Sequence, residues 1–218
     1  MKELTLTEHL TPYTSVPETS NKFVRLKKKP YKRGYYRMEG VDGYEMFRVK
    51  KPITVTSLQV NCGGKWITLM VDDPMHLLGM EELAKLCKPG KVLVTGLGLG
   101  LVLHPLCQRS DITEIEVIEI DPEVVDFISP YLPKDSRIKI RQDNFFPYLL
   151  SGNQDNFNSV IIDLWVLNDN STDRDREQVK ASMLAAYNLS QMKFPEAEVL
   201  VWGIRGYKPR SSKCSVLS

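Results

Sequence analysis

The chain has few of the residues that build covalent or metal-linked frameworks. It contains only 4 cysteines and 3 histidines in 218 residues, and no two cysteines form a C-x-x-C pair. This scattered set lacks the spacing of a zinc motif and of a disulfide framework. Disulfides are also rare in the reducing cytoplasm. We therefore predict reduced thiols, a cytoplasmic protein and no bound metal ion.

Long apolar runs are missing as well. No run reaches the roughly 20 residues that a membrane helix requires. The N-terminal stretch MKELTLTEHLTPYTS also lacks the apolar core of a signal peptide. Hydrophobic residues nevertheless make up 42% of the chain, which is enough for a normal core, and 218 residues suit one large domain or one domain with a small appendage. These features predict a globular protein that makes no membrane contact.

The charge is small overall but unevenly placed. The net charge is +2, yet residues 1–75 contain 13 Lys/Arg against 8 Asp/Glu, while the remainder contains 16 against 19. The excess is concentrated in Lys22–Arg37, which has eight basic residues, no acid and interleaved tyrosines such as Tyr35. Lysines can neutralise phosphates and tyrosines can stack on bases. The segment predicts either a weak nucleic-acid contact or an ordinary solvated basic arm.

The most informative stretch is a glycine-rich turn in the middle of the chain. The apolar run Lys91–Val94 is typical of a buried parallel strand, and Gly96, Gly98 and Gly100 follow it. Glycine lets the backbone turn sharply and approach a ligand closely. The helix that follows would offer unpaired N–H groups. A dinucleotide fingerprint would place its third glycine at position 101, where Leu101 stands. The pattern predicts a cradle for a nucleotide-like cofactor.

Acidic residues follow three further apolar runs. Glu119 lies near the end of the run 115–120, 19 residues after Gly100; Asp143 follows the run 137–141, and Asp163 follows 159–162. Ligands of open α/β sheets bind at the carboxyl ends of the strands, where an acid can hold the ribose hydroxyls. We predict a doubly wound, Rossmann-like, mostly parallel α/β sheet of order 3-2-1-4-5.

A β-rich region is predicted to precede this sheet, with residues 1–75 separate from a Rossmann domain at 76–218. Its clearest part is a hairpin of 53–60 and 65–71 joined by residues 61–64, and residues 1–21 are expected to be poorly ordered. An uncovered last strand would invite pairing with a second copy, so a homodimer is expected. The predicted helices are 75–87, 98–109 (kinked or shortened by Pro105), 122–131, 144–150 and 173–193, and the last strand is 197–202.

The motifs in this order resemble a known superfamily. The glycine turn, VIEIDPEVV, RQDN and VIIDLW are similar to the class I S-adenosylmethionine-dependent methyltransferases. The phrase EIDPEVVDFISPYLP with IKIRQDN resembles the spermidine/spermine synthase branch, over about residues 66–165. The resemblance implies S-adenosylmethionine, its decarboxylated form or methylthioadenosine as the small-molecule ligand.

The resemblance also implies roles for individual residues. Gly96, Gly98 and Gly100 would line the amino-acid end of the cofactor, and Glu119 would hold its ribose. Asp143 would bind the adenine amino group, with Asn144 beside it also in the cofactor site. Asp163 would face the reacting centre and accept a proton.

Two departures leave the function open. Thr95 stands where methyltransferases usually carry an acid, and Val166 stands where aminopropyltransferases carry a second aspartate. Three hypotheses remain: a methyltransferase-like transferase with an unknown acceptor, a spermidine synthase-like aminopropyltransferase, and a non-catalytic fold that serves as a binding module.

Local alternatives also remain open. Glu119 could cap a helix, although Asp121 fits that position better. Either Asp143 or Asn144 could cap the helix over 145–150. Asp163 could make a structural hydrogen bond, or hold magnesium with oxygen ligands from a downstream loop. His76 and His104 are expected to pack or to cap a helix. Asp72 and Asp73 could reach into the substrate mouth, but they fit the start of a helix better. The loop ligands for magnesium would be Asp169 and Asn170.

Overall fold

A five-stranded parallel sheet forms the centre of the protein. The structure is a computed structural model; it describes residues 4–6, 10–40, 43–151, 155–165 and 172–202, and the side chains of 10–36, 48–151, 155–165 and 172–202. Hydrogen bonds pair all neighbouring strands of this sheet in parallel. The central sheet is built from β8 (Gly90–Thr95), β9 (Ile112–Glu119), β10 (Ile138–Gln142), β11 (Ser159–Ile162) and β12 (Glu198–Val201).

The strand order confirms the predicted fold class. The sheet runs β10-β9-β8-β11-β12, which is 3-2-1-4-5 in chain order, so the turn after β8 lies where the order reverses. Its carboxyl edge there is the place where open α/β sheets bind ligands. The prediction of a homodimer through the β12 edge stays a prediction.

The helices cover both faces of the central sheet. Buried side chains of α1, α2 and α3 pack on one face, and those of α4 and α5 on the other. The strands of such a sheet are apolar on both faces because both are covered. The helices are α1 (Pro74–Leu86), α2 (Leu103–Cys107), α3 (Pro122–Ile128, continued by a 3₁₀ turn Ser129–Tyr131), α4 (Phe145–Leu150) and α5 (Asp173–Lys193). In the described part of the chain, no helix is long and apolar enough to cross a membrane.

Two smaller sheets precede the central one, as the predicted β-rich region requires. One has the order β1-β5-β4 and the other β2-β3-β6-β7. The strands are β1 (Leu4–Leu6), β2 (Thr19–Ser20), β3 (Val24–Tyr31), β4 (Gly34–Gly40), β5 (Gly43–Val49), β6 (Ile53–Cys62) and β7 (Lys65–Val71). The domain boundary at 75/76 stays a prediction.

Three local predictions need correction. The hairpin link is only Gly63-Gly64, because β6 extends to Cys62, which pairs with Lys65. The helix predicted over 98–109 covers only Leu103–Cys107, because glycine turns and Pro105 leave room for a single short helix. Residues 10–20 are not loosely placed, since Tyr13 is fully buried in the core. The predicted last strand over 197–202 is β12, Glu198–Val201, and the residues after 202 lie outside the described part of the chain.

Candidate cofactor and active site

The glycine turn is held between the ends of β8, β9 and β11. Gly96 has φ +81°, and a Cβ there would stand 2.1 Å from the backbone oxygen of Asp163. An L side chain would therefore be both strained and blocked. Gly96 N donates to Ile118 O (2.8 Å), and Asp163 N donates to Thr95 O (3.1 Å). The close approach of β8 and β11 thus explains why this position is a glycine.

Two residues of the N-terminal region pack on the same turn. The Tyr13 hydroxyl donates to Leu99 O (2.7 Å), and Leu99 N lies 3.4 Å from the Met70 sulfur. A Cβ on Gly98 would meet that Met70 side chain at 2.9 Å. The β-rich region therefore buttresses the turn, which sequence patterns did not indicate because these contacts join distant segments.

Glu119 lies where β9 ends and is 9% exposed. Its Oε2 accepts a hydrogen bond from Leu97 N (2.8 Å), and its Oε1 accepts one from Asp121 N (2.9 Å). The capping role belongs to Asp121, whose Oδ1 accepts from Glu123 N (2.9 Å). Each carboxylate oxygen has a second acceptor site. Glu119 therefore fixes the glycine turn and retains capacity for a ligand hydroxyl.

The structure decides which of Asp143 and Asn144 caps the helix that follows them. Asn144 is the N-cap of α4, and its Oδ1 accepts from Phe146 N (3.2 Å). Asp143 N donates to Glu119 O (3.0 Å), which places Asp143 beside the other acid at the sheet edge. The Asp143 side chain is half-buried and accepts from Asn144 N (2.7 Å). The assignment of both residues to a cofactor stays a prediction.

Asp163 is a half-buried carboxyl group at the end of β11. Burial raises the pKa of Asp163 to about 6; nearby His76 opposes this rise, and Glu119 adds to it. A carboxylate whose pKa lies close to neutrality is a good proton acceptor and is still ionised at pH 7. Its position beside the turn fits the predicted role, which stays a prediction.

His76 joins this acidic neighbourhood through the first turn of α1. Asp73 caps the helix, accepting from Met75 N (2.9 Å) and His76 N (3.0 Å). His76 Nδ1 lies 3.3 Å from Asp73 Oδ1, but the contact lacks hydrogen-bond geometry. Burial alone would lower the pKa of His76, and the carboxylates, Asp73 foremost, raise it instead. The sequence had offered only a packing or capping role for this histidine.

The other acid of the pair, Asp72, is structural. It is fully buried and accepts hydrogen bonds from Thr56 N and from the Thr11 hydroxyl. It therefore ties β6 and the N-terminal segment to the start of α1 instead of reaching a substrate. His104 lies in α2, where burial lowers its pKa.

No metal site emerges from the described part of the chain, where no group of three ligating side chains comes together. The magnesium alternative needs Asp169 and Asn170, and the second-aspartate position is Val166. All three lie outside the described residues.

The basic segment is not an arm. Lys22–Arg37 supplies strands to both N-terminal sheets, β3 and β4. Lys28 points inward, and its Nζ donates to Thr56 Oγ1 (3.0 Å). Lys27 Nζ pairs with Glu18 (2.8 Å). Tyr35 is 61% exposed and lies under the Arg48 guanidinium at 5.5 Å.

Known proteins give a consistent family comparison. Spermidine synthase 2 from Arabidopsis thaliana is 31% identical over 87 residues, which cover 37% of this chain and 26% of that protein. The polyamine aminopropyltransferase from Erwinia tasmaniensis is 33% identical over 82 residues, covering 34% and 28%. The chain thus spans about a quarter of the length of these curated relatives.

The solved structures to which the chain is similar include two spermidine synthases. The enzyme from Thermotoga maritima gives a TM-score of 0.39 at 18% identity, over 61% of this chain and 55% of that one. The spermidine synthase in complex with the transition state analogue AdoDATO gives 0.39 at 18% identity, over 61% and 53%. M. capricolum TrmK in complex with S-adenosyl-homocysteine gives 0.33 at 15% identity, over 38% of each chain.

The sequence profile of the spermine/spermidine synthase domain matches residues 74–175. This span begins at α1, contains the glycine turn, Glu119, Asp143 and Asp163, and ends in α5. The resemblance to the spermidine/spermine synthase branch of the class I methyltransferase-like fold is confirmed, and residues 74–175 are the part of the chain that carries it.

Proposed function

We propose that this protein is a transferase of the aminopropyltransferase type, with decarboxylated S-adenosylmethionine as donor and an amine as acceptor. The observation that carries the proposal is the convergence of Glu119 and Asp163 on one glycine turn. Hydrogen bonds tie the turn to the strand end that carries Glu119 and to the backbone of Asp163. The spermine/spermidine synthase domain match favours this activity over methyl transfer.

The residues at the sheet edge fit a thioadenosine group. Glu119 keeps acceptor capacity for ribose hydroxyls, and half-buried Asp143 lies beside it. Ile120, next to Glu119, is 62% exposed, so an apolar side chain is available to lie against a flat base. When bound, the donor would supply an aminopropyl group whose carbon is activated by its bond to a positively charged sulfonium sulfur.

The chain's own residues would align and deprotonate the acceptor. A new N–C bond forms as the C–S bond breaks, the electron pair stays on sulfur as methylthioadenosine, and the amine proton passes to Asp163. The raised pKa of Asp163 makes its carboxylate a stronger base than an ordinary aspartate. Because the sulfonium already activates the carbon, alignment of donor and acceptor would supply most of the rate.

Ligand binding tests the donor assignment. Calorimetry would compare methylthioadenosine with its 2′-deoxy analogue, and S-adenosylmethionine with its decarboxylated form. Loss of a hydrogen bond to a charged acceptor costs roughly 1.5–3 kcal/mol, so we expect the 2′-deoxy analogue to bind tenfold or more weakly. Glu119→Gln should shrink this difference, while Asp126→Asn on the exposed side of α3 should leave it unchanged.

Turnover separates the reaction classes. With decarboxylated cofactor and a panel of amines, we expect products whose mass shows aminopropyl transfer. Asp163→Asn should abolish turnover with cofactor affinity nearly intact, because Asn keeps the shape and cannot accept a proton. Methylated products would indicate a methyltransferase instead. If neither methylthioadenosine nor either form of S-adenosylmethionine binds, the non-catalytic binding module would be favoured.

A further inference from the structure

The sheet β2-β3-β6-β7 packs one face on the core, and its other face is basic and open to solvent only toward the hairpin end, since Tyr31, Ile53 and Val55 are buried at the opposite end. Val24 and Leu26 of β3 point into the core and are 0% and 1% exposed. Side chains alternate along a strand, so Arg25 and Lys27 point to the opposite face. Arg25 pairs with Gln59 of β6, and Gln59 pairs with Thr68 of β7. Trp66 lies on the same face, because it pairs with Asn61, two residues from Gln59. Lys65 pairs with Cys62 at the turn, so it lies at the rim of this face, and Lys22 is exposed at the same end. We call this surface, with its two rim lysines, the basic sheet face.

An ordered stack of a cation on an aromatic ring lies at the centre of this face. The Arg25 guanidinium is 4.2 Å from the centroid of the Trp66 ring. Arg25 Nε donates to Gln59 Oε1 (2.7 Å), and Gln59 Nε2 donates to Thr68 Oγ1 (3.2 Å). These bonds hold the guanidinium in one orientation, so less conformational entropy is lost when a ligand binds. A planar cation beside an indole is a surface on which a nucleobase can stack.

An anion already occupies one position of this face. Glu18 Oε2 accepts from Lys27 Nζ (2.8 Å), and its Oε1 accepts from Lys28 N (2.8 Å). The hydrogen bond from Lys27 lowers the pKa of Glu18, so this carboxylate stays ionised. An ammonium with an adjacent backbone N–H is also a phosphate-binding pair. Lys22 and Lys65 are exposed at the same end of the sheet.

We propose that the basic sheet face binds single-stranded nucleic acid, with phosphates at Lys22, Lys27 and Lys65 and a base on the Arg25–Trp66 stack. The aromatic stack favours this ligand over an acidic protein surface, which would need only the lysines. The assignment is independent of the transferase reaction, since none of these residues lies at the carboxyl edge of the central sheet. The proposal also gives a role to the basic residues of Lys22–Arg37 that lie on β3, and it adds Trp66 and Lys65 of β7 to the same binding surface.

Fluorescence anisotropy with a labelled oligouridylate of about ten nucleotides tests the proposal. Titrations of the full chain would run at several salt concentrations between about 50 and 200 mM. The double variant Lys27→Gln, Lys65→Gln should weaken binding and reduce the salt slope by about 1.4, because each single-strand phosphate contact contributes about 0.7. Lys134→Gln, an exposed lysine elsewhere, is the matched control and should behave like the wild type.

Two further variants address the stack and the competing carboxylate. Trp66→Ala should weaken binding by about fivefold or more, as expected for one lost stacking partner, with circular dichroism confirming that the fold persists. Glu18→Gln should strengthen binding several-fold, because it removes the anion that occupies Lys27. The proposal is overturned if the wild type does not bind, if the lysine variants match Lys134→Gln, or if polyglutamate competes as well as the oligonucleotide, which would indicate an acidic protein partner.

Discussion

The burial of Asp163 makes a measurable prediction about stability. Its pKa rises from 3.8 to about 6 in the folded protein, so the folded state holds a proton more tightly than the unfolded state does. Asp163 therefore stabilises the fold fully below pH 4, and this contribution is lost as the pH rises through about 6. At 1.36 kcal/mol per pKa unit, the difference amounts to about 3 kcal/mol.

The matching experiment compares wild type with Asp163→Asn, whose side chain stays neutral. Urea unfolding followed by circular dichroism between about pH 4 and pH 8 gives the free energy of unfolding at each pH. We expect the variant to gain stability relative to wild type as the pH rises, by about 3 kcal/mol in total. Groups that titrate equally in both proteins cancel from this difference.

Two controls sharpen the interpretation. Asp126→Asn, on an exposed side chain, should show a nearly constant difference from wild type over the same range. His76→Gln should move the Asp163 transition to higher pH, because His76 holds the pKa of Asp163 down. Parallel curves for wild type and Asp163→Asn would refute the reasoning, since they would mean that Asp163 has the same pKa in both states.

The remaining predictions concern the turn and the α4 cap. Tyr13→Phe should lower the free energy of unfolding by about 1–3 kcal/mol in urea titrations, because it leaves buried Leu99 O without its hydrogen bond; an unchanged midpoint would contradict this role. Asn144→Ala should cost about 1 kcal/mol of stability through the lost N-cap. Calorimetry should find cofactor affinity reduced more by Asp143→Asn than by Asn144→Ala, and the reverse order would make Asn144 the ligand.

Periodic elements were predictable because their signals are local. The helix predicted over 173–193 is α5, Asp173–Lys193, where Thr172 forms a capping box with Asp175. The doubly wound parallel sheet followed from the alternation of strands and helices, since parallel strands need crossover connections. The predicted cap at Asp121 is confirmed for the same reason, because capping depends on the next two residues.

The choice between neighbouring polar residues needed the three-dimensional structure. Asp143 and Asn144 are both good N-caps by type, and only the path of the backbone out of β10 gives the cap to Asn144. The length of the hairpin link could not be predicted from the sequence either, because the pairing of Cys62 with Lys65 decides where the two strands end. Lys22–Arg37 likewise has the composition of a solvated arm, but the structure forms β3 and β4 from it, because these strands pair with β6 and β5.

The sequence by itself determined the central sheet, the glycine turn and the row of acids at its carboxyl edge. These depend on side-chain periodicity and on residues adjacent in the chain. Only the tertiary structure decided that Tyr13 and Met70 support the turn, that His76 acts on Asp163, and that Arg25 stacks on Trp66. These contacts join segments far apart in the chain, and a single sequence carries no local signal for them because they arise only when the sheets pack together.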